Sequence, residues 1–116
     1  MAVIALLCWI GPGHATNCGH DYCWGAIGAG KGGIAARASG FRTAPGATAW
    51  AKQQCFGNCT MLEPFYNGCA AIAEDFEGRM FVAFADALEP TIKTAMADCE
   101  VDTRRVCRLR VSACSK

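Results

Sequence analysis

The spacing of the cysteines constrains this chain more than any other feature. The stretch from Cys69 to Cys114 reads as a second copy of the stretch from Cys23 to Cys69. In the first copy an alanine-rich segment leads to Cys55, a short spacer to Cys59, and a strand-like run to Cys69. In the second the same order leads to Cys99, Cys107 and Cys114, with Ile72 aligned to Ile27 and Gly78 to Gly33. Architecture is repeated more than residue identity. Neither copy is large enough to close a core alone, so the two must pack on each other.

The chain has 116 residues, the length of one domain, and nine cysteines. Ala2 to Ile10 is an apolar run too short to span a bilayer. Gly11 and Pro12 break it, and Gly13-His14-Ala15 places small residues at both cleavage-determining positions. Residues 1–15 therefore read as a signal peptide, although no Lys or Arg precedes the run. A buried N-terminal strand is the competing reading. Cleavage after Ala15 removes Cys8 and leaves Cys18, Cys23, Cys55, Cys59, Cys69, Cys99, Cys107 and Cys114. An even set in an exported chain implies a disulfide framework of four bridges in a periplasmic or extracellular protein.

Local patterning gives each copy the same elements. Trp24 to Ala29 and Ile34 to Phe41 read as strands around a Gly-rich turn. Pro45 opens a helix whose Ala47, Trp50, Ala51 and Cys55 share one stripe. Cys59 to Tyr66 is a third strand, with Pro64 at an edge or bulge. In the second copy, Ala70 to Glu74 and Met80 to Ala85 are strands, the latter covered on both faces. Pro90 opens a helix with Ile92, Ala95, Met96 and Cys99 in register, and Glu100 to Arg105 is a solvated loop. Cys107 to Cys114 alternates, placing Leu109, Val111 and Ala113 on one face and Arg108, Arg110 and Ser112 on the other. The fold class is α+β: two pseudo-symmetric strand–strand–helix–strand repeats, about 23–68 and 69–115, forming an antiparallel sheet system with two packed helices.

Several pieces together resemble a known family. They are Trp24-Gly25-Ala26-Ile27, Cys55 with Gly57-Asn58-Cys59, Asn67-Gly68-Cys69-Ala70-Ala71-Ile72-Ala73, the Ala-rich helix ending in Cys99, and Val111 to Cys114. This pattern is similar to the bacterial domain of unknown function 4189, and it covers about residues 23–115. The resemblance implies a small exported protein built from one domain at 16–116, and it carries over no catalytic residue. Cys18 and Cys23 form a pair outside the six cysteines the resemblance shares, and the first hairpin is poorer in Tyr and Ser than in such proteins.

Eight cysteines allow about 105 pairings, and the repeat selects among them. Equivalent cysteines should pair equivalently, which gives Cys55–Cys59 and Cys99–Cys107 as clamps between a helix and the strand after it. Cys69 then pairs with Cys114, and Cys18 with Cys23. Metal binding is the rival reading, with two ligands from the Cys18–Cys23 stretch that holds His20 and Asp21 and two from Cys55 and Cys59, but no Cys-x2-Cys pair is present. No cofactor is implied.

A net charge of +1 gives no global argument for nucleic acid or an anionic membrane as partner. Arg104, Arg105, Arg108 and Arg110 form a candidate docking stripe. Phe65 and Tyr66 are the candidate aromatic contacts, within a wider set of Trp24, Phe76, Phe81 and Phe84. The function that fits is binding to a protein, an envelope polymer or a host component, as an inhibitor or accessory envelope protein. Alternatives are a small hydrolase using Glu74, Asp75 or His20, and a structural envelope component. The carboxylates of Glu74, Asp75 and Glu77 also fit a solvated hairpin tip.

Overall fold

A computed structural model describes residues 18–116; the leader reading of residues 1–15, Cys8 included, lies outside them. The first half consists of β1 (Trp24–Ala29), a 3-10 turn (Lys31–Gly33), β2 (Ala35–Phe41), α1 (Ala44–Gln54) and β3 (Met61–Tyr66). The second consists of β4 (Gly68–Asp75), β5 (Met80–Ala85), α2 (Leu88–Thr103) and β6 (Cys107–Ser115). Both halves are strand–strand–helix–strand, as the cysteine repeat predicts. The sheet system resolves into two three-stranded antiparallel sheets, ordered β2-β1-β3 and β5-β4-β6. The first strand of each half is the central one.

Side-chain alternation then builds four layers. Ala26, Ala36 and Ala38 meet Ala47, Ala51 and Cys55 under α1. Ala71, Ala73 and Ala83 meet Ala95, Cys99 and Cys107 under α2. The opposite faces of both sheets, carrying Ile27, Ala29, Phe65, Ala70 and Ile72, pack on each other. The order is helix, sheet, sheet, helix. Alanine lets the helices sit close, but each buried alanine removes little apolar area from water, so the core is thin.

Disulfides offset that thinness. Cys55 is bonded to Cys59, Cys99 to Cys107, Cys69 to Cys114 and Cys18 to Cys23, the connectivity expected from the repeat. Cys69 and Cys114 are direct register partners on β4 and β6. Cys23 opens the first half as Cys69 opens the second. With Cys69 already taken, Cys23 closes on Cys18, and Asn67 ties the resulting arm down through Cys23 N–H and Asp21 C=O.

Three local expectations need correction. Residues Glu100 to Thr103 are the last turn of α2, not a loop. The Thr103 hydroxyl donates to Cys99 C=O, and Arg104 ends the helix in a left-handed conformation with its N–H on Glu100 C=O. The buried stripe of α2 is accordingly Thr91, Ala95, Cys99 and Thr103, flanked by Ile92 and Met96. On α1, Trp50 is half exposed beside the Phe41 ring, and on β5 Phe84 is 50% exposed, because no element of the described residues covers the outer end of that strand.

The third correction concerns β6. Ile72 is opposite Val111, but Ala73 is opposite Leu109, so Arg110 is an extra residue in a β-bulge. The bulge breaks simple alternation. Leu109 falls on the α2 side with Ala73, whereas Val111 and Ala113 pack between the sheets. Arg110 turns its guanidinium inward to Glu74, whereas Arg108, paired with Glu74, reaches the same carboxylate with its side chain mostly exposed. The two arginines therefore do not form an exposed face opposite Leu109 and Val111.

Candidate functional site

The four arginines of the expected stripe are separated by this geometry. Arg110 is 7% exposed along its side chain, so it is not a docking residue. Its Nη1 donates to Glu74 Oε1 at 2.9 Å, and its Nη2 donates to the carbonyls of Gly30 at 2.9 Å and Ile34 at 2.8 Å. Arg108 shares the same Glu74 oxygen at 3.1 Å while its side chain remains 70% exposed. Arg105 lies 3.1 Å from Glu77, and Arg104 is exposed at the end of α2. Phe65 is buried between the sheets and is not a surface contact either. Tyr66 is exposed and meets Trp24 in a tilted contact and Tyr22 edge-on, at ring separations of 4.8 and 5.3 Å.

The carboxylates have structural occupations. Glu74 accepts from two guanidinium groups. Asp75 Oδ1 accepts the N–H groups of Glu77 and Arg79, both at 2.9 Å, and Oδ2 receives Arg79 Nε at 3.3 Å. Burial pushes the Asp75 carboxyl up, but those N–H groups and the Arg79 guanidinium outweigh it and hold the group below its ordinary value. A general acid needs the opposite shift. His20 lines a different cavity, with Asp21, Tyr22 and Arg42, so it does not converge with these carboxylates.

What the β4–β5 turn does present is an apolar tip. Phe76 is 84% exposed, and Val106, on the loop between α2 and β6, is 70% exposed. Together with Lys31 and Gly32 of the first half and Arg108 of β6, they border a cavity of about 420 Å³. Both loops are held in place. The Asp75 hydrogen bonds fix the turn that carries Phe76, and the Cys99–Cys107 bond anchors the residue next to Val106.

The local charge is positive. Arg105 offsets Glu77 and Arg79 offsets Asp75, while one Glu74 serves both Arg108 and Arg110. That leaves one surplus cation at Arg108, with Lys31 on the same cavity. Val106 and Lys31 were not singled out from the sequence. The available signal was an exposed-type position, between Arg105 and the disulfide-bonded Cys107, filled by a β-branched apolar residue.

Fold and site thus define a small disulfide-stapled α+β domain in which Glu74 and Asp75 are held by ion pairs and hydrogen bonds. The chain belongs to the family of the domain of unknown function DUF4189, which matches residues 24–114. No curated protein and no solved structure matches the chain. Four disulfides accord with export to an oxidising compartment, and no helix among the described residues is long and apolar enough to cross a membrane.

Proposed function

We propose that this protein is an exported binding domain, periplasmic or extracellular, and that it docks a polypeptide through the Phe76–Val106 end. The observation that carries this reading is the display of Phe76 and Val106 on two pinned loops over a cavity with surplus cations. Exposed apolar side chains that are already ordered lose little entropy on binding, which is how hot spots are built. The chemistry of this surface fits a segment with an apolar anchor flanked by carboxylates: the anchor fills the cavity, and Lys31 and Arg108 meet the acids. A hydrolase reading has no comparable support, since Glu74 and Asp75 are occupied and His20 lies at another cavity.

The reading is tested by panning a random peptide library on the disulfide-bonded protein. Enriched sequences should pair an apolar residue with Asp or Glu. Their affinity should fall at least tenfold with Phe76→Ser and fall again as salt is raised. Enrichment of sequences insensitive to Phe76→Ser, or no enrichment at all, would remove this end as the docking surface.

A further inference from the structure

Four strands form the edges of the two sheets: β2, β3, β5 and β6. Three of them carry devices that block pairing with another chain. On β3, Pro64 removes a backbone donor. On β2, the Gln54 amide accepts from Arg37 N–H and donates to Arg37 C=O, closing the outer edge at that residue. On β6, the bulge at Arg110 interrupts the strand, and Arg37 Nη1 and Gly40 N–H bond to Ser112 C=O and the Ser115 hydroxyl across the seam with β2.

The edge of β5 has no such device among the described residues. Its sequence is MFVAFA, with no charge, proline or glycine. Asp75 N–H donates to Arg79 C=O at the turn, so antiparallel alternation makes Phe81 and Ala83 the residues that bond to β4. The N–H and C=O groups of Met80, Val82 and Phe84 then point away from the sheet. The repeat also makes β5 the counterpart of β2 and β3 the counterpart of β6. The β2–β6 seam is closed by hydrogen bonds, whereas at the β3–β5 side the Phe65 and Phe84 rings meet at 6.5 Å and Phe84 remains half exposed.

We propose that β5 pairs with β5 of a second copy of this chain, antiparallel about a twofold axis at Val82, joining two three-stranded sheets into one. In that register Met80 bonds to Phe84 of the partner copy and Val82 to its own counterpart, about six main-chain hydrogen bonds in all. The side chains on that face agree with the pairing. Exposed Phe84 comes to lie against the partner copy's methionine at position 80, a favourable sulfur–aromatic contact, and no charge meets a like charge along the strand. A net charge of +1 sets up little repulsion between copies. A twofold interface is the commonest closed assembly, and it removes both unprotected edges at once. This proposal uses neither Phe76 nor Val106 and stands apart from the docking end.

The test is sedimentation velocity on the disulfide-bonded chain, with and without residues 1–15, combined with hydrogen exchange. A dimer is expected in both forms, with the amides of Met80, Val82 and Phe84 exchanging at least tenfold more slowly at concentrations where the dimer forms. Phe84→Pro removes only an outward N–H and should give a folded monomer, and Phe84→Lys should do the same by charge. A wild-type monomer up to millimolar concentration overturns the proposal. So does a dimer that survives both substitutions, or slow exchange of these amides in a monomer that retains residues 1–15, which would make that segment the occupant. Should Phe84→Pro not fold, the concentration dependence of exchange in the unmodified chain decides alone.

Discussion

Arg110 and Glu74 meet between the two sheets at 2.9 Å, and the same guanidinium also holds the carbonyls of Gly30 and Ile34 in the other half of the molecule. One side chain thus joins the carboxylate of the second repeat to the hairpin of the first. The pair is buried, so its worth lies in its completeness. Removing Arg110 leaves the buried Glu74 carboxylate with only the mostly exposed Arg108, and takes the guanidinium donor from the carbonyls of Gly30 and Ile34, of which Ile34 keeps the Gly30 N–H. Arg110→Met should destabilise the protein by about 3 kcal/mol in denaturant titration. Arg108→Met removes a side chain that is mostly in water and should cost no more than about 1 kcal/mol. Combining Arg110→Met with Glu74→Leu should recover part of the loss. Equal effects for the two single variants would show that Arg110 is not the structural member of the pair.

That contrast marks what was legible in the sequence. The repeat, the strand and helix order and all four disulfide pairs follow from cysteine spacing and from periodicity, because both are one-dimensional records of the architecture. The bulge at Arg110 leaves no such record. Residues 107–114 alternate in sequence, and only the pairing of Ala73 with Leu109 shows that the alternation slips by one residue. The slip takes Arg110 off the expected surface stripe and brings it to Glu74 together with Arg108, which stays mostly exposed. The burial of Phe65 is hidden for a similar reason: Pro64 marks an edge strand, but the ring packs inward over Gly25, where the facing strand carries no side chain.

Gly25 gives a second prediction. A Cβ added there would stand 2.6 Å from Ala38 C=O and 2.7 Å from the Phe65 ring. The ring has some freedom to shift, but the backbone of β2 has little. Gly25→Ala should therefore destabilise by about 2 kcal/mol through overpacking. Adding Phe65→Leu should relieve only the part due to the ring. A Gly25→Ala protein with unchanged midpoint would mean that the sheet spreads here at little cost.

The Asp75 turn predicts a pH dependence with a defined sign. The folded carboxyl is held below its ordinary value by the Arg79 and Glu77 N–H groups and the Arg79 guanidinium. A depressed folded value means that the unfolded chain takes up a proton more readily, so acid favours unfolding. The stabilisation is complete above the unfolded aspartate value of about 3.9 and is lost as pH falls through the lower folded value. Thermal unfolding of wild type and Asp75→Asn should therefore show a constant difference from neutral pH down to about 5, shrinking at more acid pH. A difference that grows on acidification would reverse the sign and refute the assigned hydrogen bonds.

The bridges should not be equivalent. Cys69–Cys114 closes a separation of 45 residues and Cys55–Cys59 one of 4. If a bridge acts mainly by restricting the unfolded chain, the long loop should contribute about 4 kcal/mol and the short one about 2. The long bridge also joins β4, the central strand of the second sheet, to β6, the strand that carries Arg110 and packs along β2. Its loss therefore loosens the seam between the halves, whereas loss of Cys55–Cys59 frees only the end of α1 from the start of β3. Paired Cys→Ala variants, unfolded in urea under non-reducing conditions, should rank in that order. Removing Cys69–Cys114 should also speed hydrogen exchange in β6 more than in β3. A larger loss from the Cys55/Cys59 variant would show that the helix clamp, and not the seam between the two repeats, limits the stability of this fold.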